Sequence, residues 1–349
     1  MAMTSMLTRF PFEHNSCFYY AANTADGVHS GIFEPEKIEK KLVVKGGSPE
    51  LKDKIFIELS EELVQKSIQN EMLCSFENCC GIYCAKEKKL IADEKILKEK
   101  QIENAEKIID LNELFSETIP KELLHIYEKE YDKKIKRSGR FLSAADSVKK
   151  DAMRIDAKSV NIGSVVNYSS KLWKKLGAEM QGSIGTETRK FVSCITPDGA
   201  ELNMKAFDAC ERLAVIVDKT GAVSTMIIDR LRRYALGSGY DVVSCICSLD
   251  GKTVEHIIVP ELSFGAFSSE HYHRILPKKE RRVFASRFHT MDSELYKNRI
   301  NFSLKAYRSL MNEAFESLIG AQTEERKINY IFGNVVDVYD AVTEIIESI

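Results

Sequence analysis

KLVVKGGSPELKDKI, residues 41–55, carries a short β-branched run into two glycines and then into a helical pattern with a lysine in its first turn. This is the layout of a phosphate-binding loop, G-x-x-x-x-G-K-[ST] between a strand and a helix. In such a loop the glycines let backbone N–H groups turn inward, the lysine reaches the outer phosphates and the hydroxyl holds Mg²⁺. Counted from Gly46 the stretch reads G-G-S-P-E-L-K-D. Gly46 and Lys52 are in place, with Gly47 beside them as a further candidate for phosphate contact, whereas Leu51 stands for the second glycine and Asp53 for the hydroxyl. A leucine in left-handed backbone costs about 1–2 kcal/mol, so a different loop shape is expected. Asp53 opposes an anion: two like unit charges about 4 Å apart at an effective dielectric of about 20 repel by about 4 kcal/mol. That is about three decades in affinity, of which Mg²⁺ held by Asp53 would recover part. Pro49 removes one further donor.

The surroundings of this stretch recur. FYYAANTADG (18–27) is echoed by KFVSCITPDG (190–199), and the apolar strand KKLVV (40–44) by RLAVIV (212–217). The amphipathic helix IFIELSEELVQK (55–66) is echoed by MIIDRLRRYAL (226–236), and the strand NEMLCSFEN (70–78) by YDVVSCICSLD (240–250). GSVVNYSSKLWKKL from Gly163 and GNVVDVYDAVTEII from Gly333 end the two halves at an offset near 170 residues. Self-similarity at a fixed spacing is the mark of a repeated architecture. The expected organisation is two tandem domains, 15–180 and 187–349, joined within QGSIGTET (181–188). Strands alternating with helices predict an α/β fold with a mainly parallel sheet in each half, because parallel neighbours need crossover connections. A long helical region such as 121–154 is expected at the end of each half.

The second loop, within VIVDKTGAVSTMI, fails in the opposite way. Ser224 and Thr225 keep the hydroxyl pair, but Ala222 and Val223 replace Gly-Lys. Lys219 could approach an anion from another direction; the competing reading makes Ser224 or Thr225 a helix N-cap.

CSLDGKTVEHIIVPEL (Cys247 to Leu262) and, more loosely, CSFENCCGIYCAKEKKLIAD (Cys74 to Asp93) follow the two loops, and IIDLNELFSE spans 108–117. With the duplication, these segments make the chain resemble the uncharacterised bacterial P-loop ATPase-like proteins that carry two tandem NTPase domains. The resemblance implies ATP with Mg²⁺ as cofactor. It also implies an acidic Mg²⁺ or water partner at the end of the strand after the P-E-L segment, which is Asp93 in the first half but Ser268 in the second. His273 matches a histidine that follows this strand in the family pattern. Neither half keeps a complete set, so the expected function is a pseudo-ATPase with weak or absent nucleotide binding and a regulatory or assembly role. The alternatives are a Mg²⁺-dependent ATPase using Lys52 and Asp93, and a two-domain scaffold that binds a protein partner.

Composition bounds these readings. With 349 residues, 44% hydrophobic and 29% charged, the chain is long enough for two globular domains. A net charge of −2 without a long basic run does not predict a nucleic-acid partner. No segment approaches the roughly 18 uninterrupted apolar residues of a membrane span, and no signal-like segment opens the chain, so a cytoplasmic location is expected. Nine cysteines fit reduced thiols. Cys74, Cys79, Cys80 and Cys84 match no common zinc or cluster spacing and read as buried thiols. His271 and His273 beside Glu270 form an H-x-H pair that reads first as a surface or hydrogen-bonded pair, with a metal or acid–base role as the alternative. HRILPKKERRVFASR (273–287) is a basic run that would face phosphate, an acidic partner or solvent.

Overall fold

A computed structural model of the chain describes residues 19–348 apart from 20, 21, 26, 30–37, 76, 77, 85, 98, 116–118, 271–280, 291, 292 and 335–337. In chain order the strands of the first half are β1 (Ala22–Thr24), β2 (Gly27–His29), β3 (Lys40–Lys45), β4 (Glu71–Cys74), β5 (Cys79–Cys84), β6 (Lys89–Asp93) and β7 (Lys107–Asp110). Its helices are α1 (Pro49–Gln65), α2 (Glu99–Glu103), α3 (Leu111–Leu114), α4 (Lys121–Asp156) and α5 (Ile162–Lys175). The second half has β8 (Glu187–Lys190), β9 (Ser193–Thr196), β10 (Gly199–Leu202), β11 (Arg212–Val217), β12 (Val242–Ile246), β13 (Val254–Val259), β14 (Phe264–Ser269) and β15 (Arg281–Phe284). Its helices are α6 (Ala222–Gly237), α7 (Ser293–Ile331) and α8 (Tyr339–Ile346).

The fold is α/β, with mixed sheets of mostly parallel strands flanked by helices. One sheet has five strands in the order β4-β5-β6-β3-β7, and the other six in the order β15-β11-β14-β13-β12-β8. In the first, only β5 runs against the rest; in the second, only β13 does. Leaving out β8, the second sheet read from its other end, β12-β13-β14-β11-β15, repeats the order of the first.

Local chemistry explains the central elements. Leu42, Val43 and Val44 of β3 are fully buried, as expected of a parallel strand covered on both faces. Ser48 caps α1 by accepting from the Leu51 N–H, with Pro49 in the first turn, where its missing donor costs nothing. Ile55, Phe56, Leu59 and Leu63 then form the apolar stripe that faces the sheet.

The compact units are not the sequence halves 15–180 and 187–349. One comprises Phe33–Lys133 and Gly320–Ile349, the other Ala22–Ile32 and Lys134–Ile319. Val165, Leu172 and Leu176, from α5 and its end, join the core of the second unit with Ile227 and Leu231 of α6. Ala341, Val342 and Ile345 of α8 join the core of the first unit with α1. An amphipathic stripe specifies that a helix must be covered but does not specify by which sheet, so the exchange is invisible to periodicity. Two hairpins, β1–β2 and β9–β10, fall within or beside the echoed segments 18–27 and 190–199, and both lie in the second unit. Among the described residues no helix is long and apolar enough to cross a membrane.

Candidate functional site

In the first unit, β3 delivers the chain to Gly46 and Gly47, whose φ angles are +66° and +70°. A Cβ on Gly46 would lie 2.7 Å from Asn112 Cγ, and one on Gly47 would lie 2.7 Å from Leu111 Cδ1. Glycine is therefore required by both backbone and space. The loop N–H groups do turn inward, but they meet the protein's own acceptors: Gly46 N donates to Glu94 Oε1 (3.1 Å) and Gly47 N to Asn112 Oδ1 (2.8 Å). Asp110 holds Asn112 in turn by accepting from its backbone N–H at 3.0 Å.

Lys52 is buried, and its Nζ donates to Asp93 Oδ1 at 2.8 Å. The parallel register that sets Val44 beside Asp93 brings the two together. Burial lowers the Lys52 pKa and Asp93 only partly opposes this. The two expected partners of a nucleotide and its metal thus neutralise each other.

Asp53 corrects the electrostatic expectation. It accepts from the backbone N–H of Cys79 at 2.6 Å and so fastens α1 to β5. The carboxylate that takes a loop N–H is Glu94. Leu51 is not forced into left-handed backbone either, because α1 begins at Pro49, before it. A cavity of about 230 Å³ adjoins the loop, lined by four acids, Glu94, Glu128, Asp132 and Glu325, against two lysines, Lys45 and Lys95, an excess of negative charge that disfavours a phosphate chain.

The second unit closes its loop more completely. Gly221, at φ +87°, occupies the N-cap of α6 and has no side chain to give. Asp218, only 2% exposed, supplies the acceptors. Its Oδ2 takes the N–H groups of Val223 (2.8 Å) and Ser224 (2.9 Å), and its Oδ1 takes that of Thr220 (3.1 Å). A carboxylate here occupies the position at a helix N-terminus where an anionic ligand would gain from the same donors. The Thr220 hydroxyl donates to Asp156 Oδ2 at 2.6 Å, and Asp156 also meets His289 Nε2 at 2.9 Å.

Ser224 is therefore not the N-cap. It lies within the first turn, with its hydroxyl 3.2 Å from the Gly221 carbonyl and accepting from Ser268 Oγ at 2.8 Å. The Thr225 N–H donates to the Gly221 carbonyl, in the ordinary helical manner. Lys149, on α4, bonds Glu270 Oε1 at 2.8 Å and Glu255 Oε1 at 3.3 Å. Burial alone would lower its pKa, but the two glutamates hold the ammonium well above its usual range.

Sequence reasoning located Gly46, Gly47, Lys52 and Asp93, and the structure brings these together. It missed Glu94, Asn112, Asp218, Asp156 and Lys149. Asp218 left a local trace, since Asp-x-Thr before a helix start is an Asx-type turn signal; the other four left none. Cys79, Cys80 and Cys84 are buried and Cys74 is half-buried, and burial pushes the Cys79 and Cys80 thiols up and that of Cys84 to about 11. His271 and His273, and residues 273–280 of the basic run, lie outside the described residues. Comparison of the chain with protein-family models, with curated proteins and with solved structures returns no match.

Proposed function

We propose that the chain is a duplicated P-loop-like protein in which both loops have been closed by internal acceptors, and that it acts in regulation or assembly, not as an efficient ATPase. The shared strand order of the two sheets, with a strand, a glycine-bearing loop and a helix at the same place in each, supports the duplication. Asp218 carries the closed-loop reading: a buried carboxylate already takes the N–H donors that a phosphate would need. Phosphoryl transfer depends almost wholly on positioning and electrostatic stabilisation of the transferred group, and in both loops N–H groups placed for that task already meet internal acceptors: those of Gly46 and Gly47 in the first, those of Thr220, Val223 and Ser224 in the second.

The test is titration of the full chain with Mg-ATP by calorimetry, together with a phosphate-release assay. No saturable heat at millimolar nucleotide and no hydrolysis are expected. Hydrolysis that Lys52→Ala abolishes would overturn the reading and restore the Mg²⁺-dependent ATPase built on Lys52 and Asp93.

A further inference from the structure

Beyond the nest that Asp218 fills, the second unit holds a cavity of about 400 Å³ at the carboxyl ends of β11 and β14, walled on one side by α7. That volume lies in the range of about 300–1,000 Å³ common to small-molecule sites, and the ends of parallel strands are where open α/β sheets usually bind ligands. Val217, Leu304 and Tyr307 give the cavity an apolar wall.

Its charges are unequal in what they leave over. The two acids that reach it are engaged from within the protein: the loop N–H groups satisfy the oxygens of Asp218 without cancelling its charge, and Glu270 meets Lys149 at 2.8 Å, an ammonium it shares with Glu255. Lys219, next in the chain after Asp218, and Arg308, on α7, also line the cavity. Both are exposed, and neither has a carboxylate partner among the described residues. The cavity therefore presents two cations that have no direct carboxylate partner among the described residues, delivered by different elements, beside an apolar wall.

We propose that this cavity binds a small organic dianion, a phosphomonoester or a dicarboxylate, with its charges met by Lys219 and Arg308 and its carbon frame lying against Val217, Leu304 and Tyr307. A dianion is favoured over a monoanion because a single charge would leave one of the two cations unmatched. Arg308 suits this task, since its planar fork can engage two oxygens of either group at once. The cavity lies outside the loop nest, so detection of Mg-ATP hydrolysis would overturn the closed-loop reading and leave dianion binding standing.

The experiment is calorimetric titration of the full chain, without Mg²⁺, with ribose 5-phosphate and separately with succinate. Saturable binding of at least one probe is expected, and the probe that binds identifies the anionic group. Lys219→Gln and Arg308→Gln remove the charge but keep a polar side chain at exposed positions, and each is expected to weaken binding about tenfold or more, the scale of a lost charged hydrogen bond. Lys305→Gln removes another exposed charge on α7, away from the cavity, and should leave binding unchanged; matching melting curves certify that all three variants are folded. The proposal is overturned if neither probe binds at about 10 mM, a concentration that would saturate even a millimolar site. It is equally overturned if Lys219→Gln and Arg308→Gln bind as the unsubstituted chain does, or if Lys305→Gln weakens binding as much as they do.

Discussion

Asp218→Ala removes the carboxylate that fills the second loop. Three buried backbone donors, on Thr220, Val223 and Ser224, lose their acceptors at once. A hydrogen bond to a charged group contributes about 1.5–3 kcal/mol, and a buried donor left unmatched costs about 1–3 kcal/mol. Bonds that share one carboxylate are not additive, so the expected loss is about 3–5 kcal/mol, the size seen when a buried charge pair is broken. Asp218→Asn keeps one oxygen for two of the donors but turns an NH₂ toward the third, and about 2 kcal/mol is expected.

Urea unfolding followed by circular dichroism gives both losses. The same variants test whether the nest is one for anions. Inorganic phosphate should stabilise Asp218→Ala more than it stabilises the unsubstituted chain, by about 2.7 kcal/mol at a hundredfold excess over the dissociation constant. The difference between the two proteins removes any contribution from other anion sites. A loss below about 1 kcal/mol, the worth of one ordinary hydrogen bond, together with equal phosphate gains in the two proteins, would refute the idea that Asp218 stands where a phosphate would.

Four further outcomes are expected. Gly46→Ala should lose about 2 kcal/mol or more in urea unfolding, since left-handed backbone alone costs about 1–2 kcal/mol and the new Cβ would sit 2.7 Å from Asn112. Gly177→Ala is the control, with φ +71° but nothing within 4 Å of a Cβ, and it should show the backbone cost only. Asp93→Ala strands the buried Lys52 ammonium and should cost about 3–5 kcal/mol, whereas Lys52→Met with Asp93→Leu should cost much less, because replacing a buried pair by apolar side chains is often close to neutral. Burial pushes the Asp250 carboxyl up, but hydrogen bonds from the Thr253 hydroxyl and the Thr253 and Lys252 N–H groups, with Lys150 nearby, bring it below its ordinary value. A depressed folded value means stability that is complete above the ordinary carboxylate range and lost as pH falls through the folded value. The gap in unfolding midpoint between the unsubstituted chain and Asp250→Asn should therefore be open at neutral pH and close in acid; a gap that widens in acid would contradict the sign.

How much of this could be read in advance depended on the range over which each feature is encoded. β3, the glycines and α1 were legible because β-branched residues, left-handed glycine and apolar spacing act within a few residues of themselves. The same was true of β11 and α6. Asp53 was misjudged: its place in the motif suggested a phosphate-facing residue, but helix geometry turns it toward the Cys79 N–H. Ser224 was misjudged for a related reason: a hydroxyl near a helix start is a plausible cap, but α6 begins at Ala222, before it, and a carboxylate six residues earlier takes the Ser224 N–H itself.

The sequence by itself determined that two strand, loop and helix segments exist, that each loop bends through glycine, and that Lys52 falls in the first turn of a helix. Those outcomes follow from local propensity and steric limits on the backbone. Only the tertiary structure decided what the loops hold. Glu94 and Asn112 reach the first loop from 48 and 65 residues along the chain, through strand register and not through any local pattern. Tertiary packing likewise sent α5 and α8 to cores outside their own sequence halves, because an apolar stripe fixes the need for burial but leaves the partner to whichever sheet is uncovered.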